Sequence, residues 1–309
     1  MSVSDIIKKN KMLYNICLDI RKGIYCTATL LSPELNTRLH FREKFGRKLN
    51  LNHPNTFNEK LLWLKLKRYN NDPLVIQCAD KYRVREYVEQ CGCGHILNEL
   101  YDVYDSAEEI SWEKLPSQFV LKWNFGAGMN IVCSDKSKLN QDEVIGQLKR
   151  WGKCKYWLTY SEMHYKHIPR KIVCERFLQA KDGSDTIPDY KVYCFHGEPK
   201  AILVMHDRGK KIRSEFFDTN WNVLENTENY MSTEQLSPAP ECLDDMLEVS
   251  KKLSAKFPFV RCDYYNVNGK LYFGELTFTP ACGLYTSQTA IGGKDMSYLL
   301  NIPDRLGRQ

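Results

Sequence analysis

Residues 259–283 read FVRCDYYNVNGKLYFGELTFTPACG. Two apolar-rich runs flank Asn268-Gly269, which is a hairpin signal because both residues tolerate the positive φ of a tight turn. Asp263 and Glu275 lie on opposite arms. A two-residue Asn-Gly turn pairs Asp263 with Gly274 and sends the two acids to opposite faces. A three-residue loop, Val267-Asn268-Gly269 with Gly269 as a left-handed bulge, shifts the register by one. Arg261 then stands opposite Glu275, and Asp263 opposite Phe273. Arg261, Asp263, Glu275, Thr277 and Thr279 share a polar face, while Val260, Cys262, Tyr264, Tyr272, Gly274, Leu276 and Phe278 share an apolar one. The bulged register sorts the residues better and is the expectation here. Two carboxylates and a hydroxyl on adjacent strands suit Mg²⁺, which takes oxygen ligands. Taken alone, the hairpin reads first as a surface element with an Arg261–Glu275 cross-strand pair.

Upstream, Phe119–Trp123 is an apolar strand interrupted by Lys122. It runs into Asn124-Phe125-Gly126-Ala127-Gly128-Met129 and a second strand, Asn130–Cys133. Glycines let backbone N–H groups close on phosphate oxygens, and a strand lysine neutralises phosphate charge. The pattern is neither a Walker A loop nor G-x-G-x-x-G, and by itself it reads as an ordinary hairpin turn. Ile172–Leu178 is a further strand carrying Glu175. Tyr190–Phe195 and Ala201–Met205 are strands joined by His196-Gly197-Glu198-Pro199, and Ser214–Asp218 continues the sheet.

Helices are expected elsewhere. Thr56-Phe57-Asn58-Glu59 is a capping box opening a helix to about Arg68. Asp80 caps a helix through Glu89, closed by Gly92. Leu243, Met246, Leu247 and Leu253 repeat at helical spacing within Glu241–Lys256. Residues 1–50 read as helix and irregular segments rich in Lys and Arg. Helices with antiparallel strands indicate an α+β (mixed α/β) fold rather than a parallel doubly wound sheet.

Composition excludes several classes. Hydrophobic residues at 43% provide a full core, no run of apolar residues is long enough to span a membrane, and the N-terminus lacks the apolar core of a secretory signal. A cytoplasmic protein is expected. The twelve cysteines form no C-x-x-C pair, so nearly all are read as reduced, buried apolar side chains rather than zinc ligands or disulfides. A net charge of +6 is too small for a nucleic-acid binder. The basic run His206–Arg213 reads as a solvated loop or as a receiver of an acidic acceptor. His164, His167, His196 and His206 read as surface or turn residues before bases.

The order of these pieces resembles the ATP-grasp superfamily. Lys81 comes at a helix start, Lys122 precedes a Gly loop, Glu175 lies in a hinge, and an acidic hairpin has Arg261 two residues before Asp263. More narrowly, TFNEKLLWLKL, ADKYRVREYV, LPSQFVLKWNFGAGMNIV, DYKVYCFHGEPK and the hairpin, between about Asn55 and Gly283, resemble the TupA-like ATP-grasp family linked to teichuronopeptide biosynthesis. The resemblance implies two α+β subdomains clasping ATP, at 80–180 (lid and hinge) and 181–309, after a mostly helical region at 1–79. It implies that Lys81 and Lys122 contact ATP phosphates under a Gly126–Met129 lid, with Gly126, Gly128 and Met129 as its parts. Glu175, Arg176, Phe177 and Leu178 hold adenine, and Lys191 faces the γ-phosphate. Asp263 and Glu275 bind Mg²⁺, and Arg261 steadies the developing oxyanion. Thr277 stands where many members carry an asparagine as third metal ligand. The implied reaction joins a carboxylate, a hexuronic acid of a capsule or surface glycan, to an amine through an acyl-phosphate. A sugar phosphotransferase and a non-catalytic glycan-binding accessory protein are the alternatives.

Overall fold

The computed structural model describes residues 11–180, 187–206, 213–224, 236–287, 289–291 and 293–302. Helices α1 (Lys11–Leu31) and α2 (Pro33–Phe45) occupy most of the segment read as helix and irregular chain. Ser32 separates them and caps α2, its hydroxyl accepting the Leu35 N–H at 3.3 Å. The capping box of α3 (Phe57–Lys67) forms in both directions between Thr56 and Glu59. Helices α4 (Pro73–Ala79) and α5 (Val84–Gln90) follow.

Helix α5 starts three residues later than expected. Asp80 does accept the N–H groups of Tyr82 and Arg83. Residues 81–83 form a turn, and the Lys81 N–H donates to the Asn124 carbonyl at 2.9 Å.

The first sheet contains β1 (Leu100–Tyr104), β2 (Phe119–Trp123), β3 (Asn130–Cys133) and β4 (Ile172–Arg176), in the order β1-β4-β2-β3. All its pairings are antiparallel. Helix α6 (Gln141–Gly152) buries Val144 and Leu148, and the Trp123 indole N–H donates to the Leu148 carbonyl at 3.0 Å. The short α7 (Trp157–Tyr160) lies beyond it.

The second sheet runs β7-β6-β5-β8-β9, again antiparallel, from β5 (Asp189–Phe195), β6 (Glu198–His206), β7 (Arg213–Phe217), β8 (Phe259–Val267) and β9 (Lys270–Thr277). Six residues of the basic run, 207–212, lie outside the described residues. Helix α8 (Leu243–Ser254) covers one face with Met246, Val249 and Leu253, and its Ser250 hydroxyl meets the Tyr264 hydroxyl at 2.9 Å. The N-terminal helices lock onto this sheet. The Phe57 ring packs against Phe195 and Phe259, and the Tyr69 hydroxyl donates to the Phe259 carbonyl at 2.7 Å.

The acidic hairpin departs from the expected register. Its turn has two residues, Asn268 (φ 56°) and Gly269 (φ 81°), with Val267 paired to Lys270. This primed turn matches the right-handed strand twist, so no bulge is needed at Gly269. The extra residue is Gly274, squeezed out between the pairs Asp263–Glu275 and Tyr264–Phe273. Arg261 therefore faces Thr277, not Glu275, and Asp263 faces Glu275, not Phe273. Tyr272 moves to the face of Tyr265, away from the apolar face where it was expected. The acids share a face all the same, because one bulge has replaced another.

All twelve cysteines are free, but only seven are buried; Cys17 is exposed, and Cys26, Cys91, Cys154 and Cys282 are partly so. Among the described residues no helix is long and apolar enough to cross a membrane.

Candidate active site

Three residues form a row across the second sheet. Lys191 on β5 pairs with Asp263 on β8, which pairs with Glu275 on β9. The next row is Tyr193, Arg261 and Thr277, and the one on the other side is Asp189, Tyr265 and Tyr272. Antiparallel pairing places such rows on one face, so residues distant in sequence meet.

Asp263 is the hub. Arg261 grips it with two parallel bonds, Nε to Oδ1 and a terminal nitrogen to Oδ2, both 2.7 Å. Lys191 Nζ lies 2.7 Å from Asp263 Oδ2 and 2.7 Å from Asp189 Oδ2. Burial by itself raises the Asp263 carboxyl, but the Arg261 and Lys191 charges outweigh it and hold the group below its ordinary value. Burial pulls the Arg261 guanidinium down, and the Asp263 carboxylate more than reverses this. Arg261 also reaches the Tyr285 hydroxyl at 3.4 Å and the Thr277 hydroxyl at 3.3 Å. Thr277 in turn donates to Glu275 Oε1 at 3.1 Å. The other Glu275 oxygen stands 3.6 Å from Lys81 Nζ.

The first sheet supplies the opposite wall. Lys122 on β2 reaches Glu175 on β4, with Nζ 2.6 Å from Oε2, while Arg85 approaches the other oxygen at 4.0 Å. Glu175 is thus engaged with two cations. The strand ends at Arg176, earlier than the expected Leu178. The Asn98 amide anchors it there by donating to the Arg176 carbonyl at 2.8 Å, and Phe177 and Leu178 continue outside the ladder.

The Gly loop closes the third side. Gly126 (φ 67°) and Gly128 (φ 74°) are both left-handed. A Cβ on Gly126 would lie 2.8 Å from the Tyr156 ring and from Met129 Cε, so only glycine fits there. Lys81 Nζ donates to the Gly126 carbonyl at 2.5 Å, tying the loop to Lys81.

Between these walls lies a cavity of about 400 Å³, within the usual range for cofactor-sized ligands. Lys81, Lys122, Gly126, Gly128, Met129, Glu175, Arg176, Phe177, Leu178, Lys191, Arg261, Asp263 and Glu275 all line it. Thr277 stands next to it, its hydroxyl joined to Glu275 and Arg261.

Two functional positions escaped the sequence reading. Asp189 shares Lys191 with Asp263 and lines the same cavity. Its place two residues before Lys191 on one strand was the available signal. Asn124 is fully buried and joins three segments. Its amide donates to Asp80 and to the Pro169 carbonyl, each at 2.8 Å, and its side-chain oxygen accepts the Lys171 N–H at 2.9 Å. It thereby fixes Lys81 and β4 relative to the Gly loop. Burial raises the Asp80 carboxyl that Asn124 contacts.

Two antiparallel sheets closing on a cationic and acidic cleft, one lending a Gly loop and the other an acid-bearing hairpin, make up the ATP-grasp fold. The chain belongs to the TupA-like ATP-grasp family, whose sequence pattern matches residues 59–290. No curated protein matches the chain. Among solved structures it is similar to the L-amino acid ligase from Bacillus licheniformis, with 14% identity and a TM-score of 0.45 over 83% of this chain and 58% of that one. It is also similar to the D-alanine–D-alanine ligase from Bacillus anthracis complexed with ATP, with 15% identity and a TM-score of 0.39 over 65% and 55%. A third is the ATP-grasp ligase PsnB complexed with a phosphomimetic variant of minimal precursor, Mg and ADP, with 10% identity and a TM-score of 0.39 over 72% and 57%. The chain spans little more than half the length of each.

Proposed function

We propose that this protein is an ATP- and Mg²⁺-dependent carboxylate–amine ligase that forms an amide through an acyl-phosphate. The observation that carries the reading is the row Lys191–Asp263–Glu275 facing Lys81 and Lys122 across one cavity. Three lysines and an arginine converge on a space bordered by carboxylates, the arrangement needed to hold a polyphosphate beside a hard cation.

The residues fit magnesium. Glu275 and Asp263 provide hard oxygen donors, and Glu275 is the more open, its side chain 35% exposed against 5% for Asp263. Thr277, whose hydroxyl donates to Glu275 at 3.1 Å, orients that carboxylate and would be the third oxygen donor. Magnesium, when bound, offsets phosphate charge. Lys81 and Lys122 hold phosphate oxygens, and the Gly126–Met129 loop excludes water. Glu175 and the backbone of Arg176, Phe177 and Leu178 hold the adenine. Lys191 faces the γ-phosphate.

The γ-phosphoryl passes to the substrate carboxylate, giving an acyl-phosphate and ADP. An amine then attacks the carbonyl, the C–O bond to phosphate breaks, and amide, phosphate and a proton leave. Arg261 stabilises the oxyanion of that step. No protein nucleophile is required. In this reading the acid is a hexuronic acid of a capsule or surface polysaccharide, the reaction takes place in the cytoplasm, and the units 80–180 and 181–309 clasp the nucleotide between them.

The test is release of ADP by the purified chain with ATP and Mg²⁺ over panels of uronic acids and amines. The proposal expects release that requires both an acid and an amine, with a product mass equal to their sum less water. A phosphorylated sugar formed without amine identifies a phosphotransferase instead. Absence of an ATP–Mg²⁺ thermal shift identifies a non-catalytic accessory protein.

A further inference from the structure

Helix α1 meets solvent along much of its length, although Arg21 reaches Glu43 on α2. Every residue from 14 to 24 is exposed. Ile16, Ile20 and Ile24 follow at four-residue spacing along one face, 43%, 59% and 58% exposed, and Leu30 and Leu31 extend the stripe at 68% and 76%. Leu35 and Leu39 add exposed apolar surface on α2. A solvated helix of this length gains little from propensity alone, and a contiguous apolar stripe rimmed by charge marks an interaction surface.

Charge indicates what covers it. Residues 1–50 hold ten Lys and Arg against four Asp and Glu, an excess of six. The entire chain carries +6, so the sequence beyond residue 50 balances to zero; within the described residues 14–50 the excess is seven Lys and Arg over three Asp and Glu. Arg21 and Arg42 stand beside it, lining with Ile24, Tyr25, Leu39 and Glu43 a shallow hollow between the two helices, and Lys22, Lys44 and Lys48 are exposed elsewhere on this end of the molecule.

We propose that α1 and α2 form a docking face for an anionic lipid surface. The isoleucine stripe enters the boundary between headgroups and acyl chains, and the Lys and Arg side chains meet lipid phosphates. The helix lies in the surface and does not cross it, since Asp19, Arg21 and Lys22 interrupt its centre. A second copy of the chain is a poorer occupant, because a two-fold contact sets one positive face against its like. The proposal is independent of the ligase reading.

The test is co-sedimentation of the full chain with phosphatidylcholine vesicles, neutral or made one-third phosphatidylglycerol. The expected result is binding to the anionic vesicles alone, weakened by high salt. The double variant Ile20→Glu/Ile24→Glu and the charge reversal Arg42→Glu should each lose about tenfold in bound fraction, at an unchanged melting temperature. Equal partition to both vesicle types, no binding to either, or a dimer that Ile20→Glu/Ile24→Glu dissolves without vesicles would overturn the proposal.

Discussion

Asp263 and Glu275 face each other directly across β8 and β9, and they do so because Gly274 is bulged out of the ladder beside them. An ideal Cβ at Gly274 lies 2.9 Å from the Asp263 carbonyl oxygen. Backbone cannot yield there as a flexible side chain does. Gly274→Ala therefore pushes the two strands apart at the acids. Nucleotide affinity with Mg²⁺ should fall by about tenfold or more, with a stability loss of about 1–3 kcal/mol. Calorimetric titration and urea melts read the two effects, and an unchanged affinity would mean that the Asp263–Glu275 pairing is irrelevant to binding.

Asp263→Asn removes the shared partner of two buried cations. Breaking a buried pair from one side costs about 3–5 kcal/mol, so a drop in melting temperature is expected together with loss of ATP turnover. The sign of the pH effect follows from the lowered carboxyl. Its stabilisation is present above the ordinary value of 3.8 and is lost as pH falls through the folded value. The wild type should exceed the variant in stability at pH 7 and converge toward it in strong acid. A constant gap across that range would contradict the assignment.

Lys122→Met separates binding from folding. Glu175 keeps Arg85 at 4.0 Å when Lys122 is gone, so the fold should lose no more than about 1–2 kcal/mol. Nucleotide affinity should weaken by about tenfold to a hundredfold. The reverse pattern, intact affinity with a collapsed fold, would make Lys122 a structural residue.

His164 is a buried ring whose Nδ1 makes no hydrogen bond among the described residues. Burial holds its pKa down to about 3, below the ordinary 6.5. The unfolded ring therefore takes up a proton first as the solution is acidified, and the folded state loses stability from pH 6.5 toward 3. At pH 5 the loss is about 2 kcal/mol. His164→Gln cannot charge, so its stability should change less than the wild type's between pH 7 and pH 5 in urea melts.

Much of this was legible in local chemistry. The capping box at Thr56–Glu59, the strand before the Gly loop and the hairpin at Asn268-Gly269 are patterns in which neighbouring residues decide the conformation. The bulge was misplaced because two glycines compete for it. Asn268-Gly269 satisfies a primed turn by itself, which leaves Gly274 to absorb the extra residue, and the choice between them depends on tertiary packing. The Lys122–Glu175 pair was hidden for another reason. It requires β2 to lie beside β4, and strand order is not a local property. Strand β1, LYDVY, alternates weakly and sits at the sheet edge, so its composition gave little signal. Asn124 looked like a loop residue, and only burial shows it to be a junction.

The central claim is that the cleft activates a carboxylate with ATP, and hydroxylamine trapping tests it without knowledge of the natural amine. The chain is incubated with ATP, Mg²⁺, hydroxylamine and a panel of uronic acids. The account predicts a hydroxamate formed in equal amount with ADP and phosphate for at least one acid, and none from Asp263→Asn. ATP consumed with a stable phosphorylated sugar and no hydroxamate, or hydroxamate formed undiminished by Asp263→Asn, would contradict it.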